Sequence, residues 1–258
     1  MKFGLYTICD DKFIDPTSVM LYSFLVNNSW YKGDIIIIYD VLSHKNKIKL
    51  KALYDNIIFK PINGVMYEDI MRGVKGVTAP TLLKCYYKYE LFNEQKYDII
   101  MWADSDIVFQ DSIEELFNDD NVDFCWCEDK GFLGKEIYFN TGFFFFRNIE
   151  DVKNNSFYDD IFEFTKNIKT TQFTNENTHK GLYADQDVFN EKVPLYFKNI
   201  KKAPALIYNF PQQVERVDLL KNAKIIHYCG GDKPFSEKIN KMFLSHSLWY
   251  YYYYQLNK

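Results

Sequence analysis

The stretch Ile99-Ile100-Met101-Trp102-Ala103-Asp104-Ser105-Asp106-Ile107-Val108 joins two apolar runs through a pair of carboxylates one residue apart. A run this short and this apolar has the pattern of a strand buried on both faces. Open α/β sheets bind ligands at the carboxyl ends of their strands, which is where Asp104 and Asp106 would stand. Two hard oxygen donors there could hold a divalent cation, and the cation could hold a diphosphate. The triplet alone carries little weight. The chain has 22 Asp, and its two Asp-x-Asp triplets, Asp104/Asp106 and Asp185/Asp187, are about the number chance supplies. The plainer alternative is a turn after a strand, with Asp111 or Ser112 capping a helix that starts near Ile113.

Other segments add chemistry of the same kind. Ala223 to Phe235 reads as a strand ending at His227, followed by Gly230, Gly231 and Lys233. Glycines let backbone N–H groups approach a phosphate and lysine supplies charge, although a lone histidine after a strand is more often structural. Lys84 falls in the first turn of a helical pattern from Thr81 to Phe92, where it could meet a phosphate or merely face solvent. Asn140-Thr141-Gly142 forms a small polar corner ahead of Phe143 to Phe146, which reads as a core strand. Asp185-Gln186-Asp187 opens a short helix, where its acceptor groups could bind sugar hydroxyls or Asp185 could act as the N-cap.

The elements that would position these groups follow in order. Phe3 to Cys9, Gly33 to Asp40 and Asn56 to Lys60 read as strands, and helical patterns from Asp15 to Val26 and from Lys45 to Tyr54 separate them. That alternation implies parallel pairing in a Rossmann-like layout. Val122 to Cys127 is a further apolar strand pattern, Ile149 to Ile168 a charged helix, and Lys192 to Lys202 and Ala203 to Phe210 weak strand signals. Glu68 to Pro80 and Asn175 to Gly181 read as loops, the first able to order over a ligand. No repeat or linker interrupts the 258 residues, so one compact domain is expected.

Bulk properties exclude several classes. Net charge is −4 with no long run of one sign, which argues against a nucleic-acid surface. No stretch reaches the length of a transmembrane helix, and the N-terminus enters a strand pattern without a secretory apolar region. Five cysteines, mostly in apolar runs, fit buried reduced thiols in a cytoplasmic protein; Cys125-Trp126-Cys127 has the wrong spacing for a zinc knuckle.

Taken together and in order, these segments resemble the family 8 retaining glycosyltransferases, the group that includes glycogenin, bacterial lipopolysaccharide glycosyltransferases and galactinol synthases. The matching elements are Asp10-Asp11-Lys12-Phe13, Lys84, Asp104-Ser105-Asp106, Phe139-Asn140-Thr141-Gly142, Asp185-Gln186-Asp187-Val188-Phe189-Asn190, and His227-Tyr228-Cys229-Gly230-Gly231-Asp232-Lys233-Pro234-Phe235. The resemblance implies a GT-A fold: a Rossmann-like, mostly parallel central sheet flanked by helices. Its nucleotide half would cover about residues 1–110, and its acceptor half with a C-terminal helix about residues 111–258.

The resemblance also implies a site. Asp104, Asp106 and His227 would coordinate Mn²⁺ or Mg²⁺, bridging the diphosphate of UDP-glucose or UDP-galactose, with Ser105 between the carboxylates. Gly230, Lys233 and Lys84 would offset phosphate charge. Thr7, Ile8, Cys9 and Asp10 would hold uracil and ribose, largely through backbone groups. Phe13 stands where the family often has a Tyr that stacks on uracil, and Lys12 where some members have Asn. Asn140, beside Thr141, and Asp185 would hold sugar hydroxyls. Gln186 would lie nearest the anomeric carbon, so Gln186, Asp185 and Lys84 are the residues implied in catalysis. An amide is a poor nucleophile, which favours same-face attack over a covalent glycosyl-enzyme.

The expected activity is therefore metal-dependent, retaining transfer of a hexose to a hydroxyl of a glycan, a lipid-linked glycan or a protein. A homodimer and a peripheral membrane association are compatible with it. Leu248-Trp249-Tyr250-Tyr251-Tyr252-Tyr253-Tyr254 offers five tyrosine hydroxyls for glycogenin-like self-glucosylation, although aromatic packing against the domain is the plainer reading. The alternatives are a non-catalytic UDP-sugar-binding protein and a two-carboxylate metal phosphatase or hydrolase.

Overall fold

In a computed structural model, residues 1–64, 67, 84–129, 138–167 and 185–258 are described. The expected loops at Glu68–Pro80 and Asn175–Gly181 lie outside them, as does Ala184, which precedes Asp185.

Among the described residues the central sheet has seven strands: β1 (Phe3–Ile8), β2 (Asp34–Tyr39), β3 (Ile57–Pro61), β4 (Ile99–Ala103), β6 (Phe124–Asp129), β7 (Tyr138–Arg147) and β8 (Ile200–Ala203). They lie in the order β3-β2-β1-β4-β7-β6-β8. Among these described strands only β7 runs against its neighbours, pairing antiparallel with both β4 and β6. A second sheet of three strands, β5 (Ile107–Phe109), β10 (Ile225–His227) and β9 (Phe210–Pro211), stands beside it in that order.

Strands buried on both faces have no polar side to spare, hence runs such as Asp34-Ile-Ile-Ile-Ile-Tyr39. Period-two alternation then deals the side chains to two cores. Tyr6, Ile36, Ile38, Ile100, Trp102 and Phe144 fill one face of the sheet. Leu5, Ile35, Ile37, Ile99, Met101 and Phe145 fill the other. The helices that matter for the site are α1 (Ile14–Asn27), α2 (His44–Lys51), α3 (Ser156–Asn167), α4 (Asp185–Tyr196) and α5 (His246–Leu256), with a 3₁₀ helix over Lys84–Asn93. Cys125 and Cys127 share one core face, and all five thiols are free.

Several sequence expectations change. The apolar run around Asp104 and Asp106 is two strands in two sheets, with both carboxylates in the turn between them. Asn140-Thr141-Gly142 is not a corner ahead of a strand but part of β7. There the register on β6 jumps from Trp126↔Phe144 to Cys127↔Asn140, so the strand bulges at this point. The charged helix expected over Ile149–Ile168 breaks at Asn155, which adopts a left-handed φ of 64° between a short turn and α3. Lys192–Tyr196, read as weakly strand-like, completes α4 despite Pro194. α5 packs beside α1, with Trp249 and Tyr252 buried and Tyr251 and Tyr254 exposed.

Candidate active site

Strand order reverses direction at β1, where the chain leaves through α1 to β2 on one side while β4 flanks the other. This is the switch point at which open α/β sheets bind ligands. Asp10 follows β1 and Asp104 follows β4, so both stand at the crevice.

The turn after β4 and the end of β10 meet there. β10 pairs antiparallel with β5, setting His227 opposite Ile107, and Tyr228 N–H donates to the Asp106 carbonyl at 2.9 Å. The result brings one ligand atom each from Asp104, Asp106 and His227 within 4.8 Å of one another, a group that could hold a metal ion. His227 Nε2 lies 3.3 Å from Asp106 Oδ1. Trp102 Nε1 donates to Asp104 Oδ1 at 2.6 Å, and Asp104 N–H donates to the Gly142 carbonyl at 2.7 Å. A Cβ on Gly142 would stand 2.5 Å from His227 Cε1, so only glycine fits where the β7 bulge passes the imidazole.

Two lysines flank this group. Lys233 pairs with Asp106 Oδ2. Lys88, 2% exposed, reaches Asp185 Oδ2 at 2.9 Å, Asp104 Oδ1 at 3.2 Å and Thr141 Oγ1 at 3.3 Å. Burial opposes both charges, yet Asp104 and Asp185 hold the Lys88 ammonium above its ordinary pKa, and the Lys233 ammonium holds the Asp106 carboxyl below the carboxylate range. Burial, reinforced by Asp106, raises Asp104 despite Lys88. Gly230 carries a φ of +84°, which opens the loop between His227 and Lys233. Gln212 ties that loop down by donating to the Cys229 and Gly231 carbonyls at 3.0 and 2.8 Å.

A third group faces the crevice from β6, β7 and α4. Asn140 Nδ2 donates to Gln186 Oε1 at 3.2 Å, Gln186 Nε2 to Asp129 Oδ2 at 3.2 Å, and Thr141 Oγ1 to Asp185 Oδ2 at 2.8 Å. The Asp185 carboxylate thus serves Lys88 and Thr141 through Oδ2.

The remaining expected residues gather at the end of β1. Asp10 Oδ1 accepts from Lys12 N–H and Phe13 N–H at 2.9 and 3.0 Å, closing the turn into α1. Lys84 stands between Asp10 Oδ2 at 2.8 Å and Asp40 Oδ2 at 3.2 Å. Thr7 is fully buried with its hydroxyl unpartnered, Cys9 N–H donates to the Ile38 carbonyl, and Phe13 packs edge-on to Phe235 at 6.1 Å. Ser105 is 7% exposed within the turn, and Ile8 closes β1.

Sequence reasoning missed three members. Lys88 had a signal: a lysine inside Tyr86-Tyr87-Lys88-Tyr89-Glu90-Leu91-Phe92 must find a buried partner. Asp129 also had one, standing at the end of an apolar strand as Asp104 does. Asn209, whose Oδ1 lies 2.8 Å from His227 Nδ1, had none.

The profile of Glycosyl transferase family 8 matches residues 5–238. The chain belongs to glycosyl transferase family 8. Within the family, galactinol synthase 2 of Arabidopsis thaliana is 28% identical over 189 residues, covering 58% of this chain and 50% of that protein. Galactinol synthase 4 of the same plant is 24% identical over the same shares. The chain spans about half the length of the curated relatives it matches. Among solved structures, the galactosyltransferase LgtC in complex with donor and acceptor sugar analogs superposes with a TM-score of 0.66 at 16% identity, covering 99% of this chain and 96% of that one. The glycosyltransferase GlyE of Streptococcus pneumoniae TIGR4 gives 0.67 at 15% identity, covering 100% and 62%. The family 8 chain therefore has the GT-A fold, a mostly parallel central sheet flanked by helices. Among its described residues no helix is long and apolar enough to cross a membrane.

Proposed function

We propose that the chain is a metal-dependent retaining hexosyltransferase that moves glucose or galactose from a UDP-sugar to a hydroxyl acceptor. The observation that carries this reading is the Asp104/Asp106/His227 group, with its ligand atoms within 4.8 Å, at the carboxyl end of β4 and flanked by Lys88 and Lys233. Two carboxylates and one imidazole fit Mn²⁺ or Mg²⁺ as a donor set, and the lysines fit an anion brought beside them. When bound, the ion would supply charge stabilisation for the departing diphosphate.

The chain's own residues would do the rest. Lys233 and the open backbone at Gly230 would meet the phosphates, and Lys88 would add charge from below. Thr7 to Asp10, with Phe13 and the Lys84–Asp10 pair, would hold the nucleoside in the first ~110 residues, leaving the acceptor to the remainder. Asn140 and Asp185 would hold sugar hydroxyls. Gln186, oriented by Asn140 and Asp129, would lie beside the anomeric carbon without attacking it. The acceptor oxygen would then bond to the anomeric carbon on the face the diphosphate leaves, and its proton would pass to the departing phosphate oxygen.

Purified protein incubated with Mn²⁺ and a panel of UDP-sugars tests this, read as free UDP and as intact protein mass. UDP release that depends on a divalent ion is expected. A hexose added to the protein would assign self-glycosylation, with Tyr251 and Tyr254 the exposed tyrosines of α5. Tight UDP binding with no release from any sugar would leave a binding protein instead.

A further inference from the structure

We infer that Asn209 is a positioning residue that fixes the tautomer of His227, so that its Nε2 lone pair, and not an N–H, faces Asp104 and Asp106. The inference rests on the reading of that group as a metal centre.

The argument starts from an amide whose two ends can be told apart. Asn209 is 8% exposed and follows a short helical turn over Ala205–Tyr208, directly ahead of β9. Its Nδ2 lies 3.3 Å from the Glu128 carbonyl oxygen at the end of β6. A carbonyl can only accept, so the amide nitrogen must face it, and Oδ1 must face the other way. The group that Oδ1 meets, at 2.8 Å, is His227 Nδ1. An amide oxygen also only accepts, so Nδ1 must carry the proton. In a neutral imidazole the other nitrogen then carries the lone pair.

Nε2 is the nitrogen turned to the diacid, 3.3 Å from Asp106 Oδ1. A lone pair facing a carboxylate oxygen is a repulsive contact that a cation between them removes. The ring's place depends on Gly142, where a Cβ would stand 2.5 Å from Cε1 and 2.8 Å from Nδ1. A chain of one-way hydrogen bonds thus runs from the end of β6 through Asn209 to His227. It sets the imidazole in the ligating tautomer before any ion arrives. Outer partners of this kind are worth about 10–100-fold in metal affinity.

The test uses the full chain with wild type, Asn209→Ala and Asn209→Asp. The first readout is the imidazole ¹⁵N spectrum of the metal-free protein, followed as pH rises until the spectrum itself shows a neutral ring. The chain has four histidines, so His227→Gln assigns the signal. A pyrrole-type Nδ1 and a pyridine-type Nε2 are expected in wild type and in Asn209→Asp, and a mixture in Asn209→Ala. The second readout is Mn²⁺ binding by electron paramagnetic resonance with UDP present. Asn209→Ala should weaken it about 10–100-fold, and Asn209→Asp, which keeps the acceptor, should restore it to within several-fold. A general packing defect would not be rescued this way.

An Nε2–H tautomer in wild type overturns the inference, as does an Asn209→Ala variant that binds Mn²⁺ like wild type. Failure of the underlying reading looks different: wild type itself binds no Mn²⁺ with UDP, and the inference falls with it.

Discussion

Two lysines on one 3₁₀ helix each sit between two carboxylates, and they teach opposite lessons. Lys84 lies between Asp10 and Asp40, with side chains 29%, 21% and 26% exposed. Lys88 lies between Asp185 and Asp104, and it and Asp185 are 3% and 4% exposed. At three residues per turn, positions four apart differ by about a third of a turn. One helix therefore serves the end of β1 with one lysine and the end of β4 with the other. Water reaches the first cluster and screens it, so its pairing is worth little and is easily exchanged for a ligand. The Lys88–Asp185 pair is shielded, so removing either partner strands the other's buried charge.

The largest effect should come from breaking the buried cluster. Lys88→Met is expected to lower stability by about 3–5 kcal/mol in urea unfolding and to lower UDP release more than ~100-fold. Lys88→Met/Asp185→Asn should recover part of the stability and none of the turnover, separating folding from chemistry. If Lys88→Met proves no more harmful than Lys84→Met, the contrast between the two clusters is wrong.

Gly142→Ala comes next. Its Cβ would press on His227 and on Asn140 Oδ1, at 2.5 and 2.7 Å, and the β7 backbone would have to shift. A stability loss of about 1–3 kcal/mol is expected, with Mn²⁺ affinity falling at least ~10-fold. Titration with Mn²⁺ checks it, and wild-type affinity would mean that the bulge does not hold the imidazole.

Lys84→Met should do least. Stability should change by less than about 1 kcal/mol, while KM for the UDP-sugar rises several-fold with kcat nearly kept. The KM effect should shrink as salt rises, because exposed charges are screened. A drop in kcat like that of Lys88→Met would place Lys84 in the chemistry and sharpen the comparison the other way.

The same two lysines mark what a sequence can and cannot convey here. β1, β2 and β4 were legible because a strand covered on both faces has no choice but to be apolar. The end of β4 was legible because carboxylates interrupt that run. Lys84 stood out because it opens a helical pattern, yet helix position says nothing about which strand end a side chain reaches. Lys88, hidden among aromatics, was the buried partner. The β7 bulge was illegible, since Asn140-Thr141-Gly142 looks like a turn until β6 pairs across it. Asn209 gave no local sign at all, because its role comes from β9 pairing with β10 and bringing it to His227.

The measurement that bears most directly on the central claim is UDP release from UDP-glucose and UDP-galactose by wild type and Asp106→Asn, each with Mn²⁺ and with EDTA. The account predicts release by wild type with Mn²⁺, loss in EDTA, and a drop of at least ~100-fold in the variant. Undiminished turnover in EDTA, or in Asp106→Asn, would contradict it.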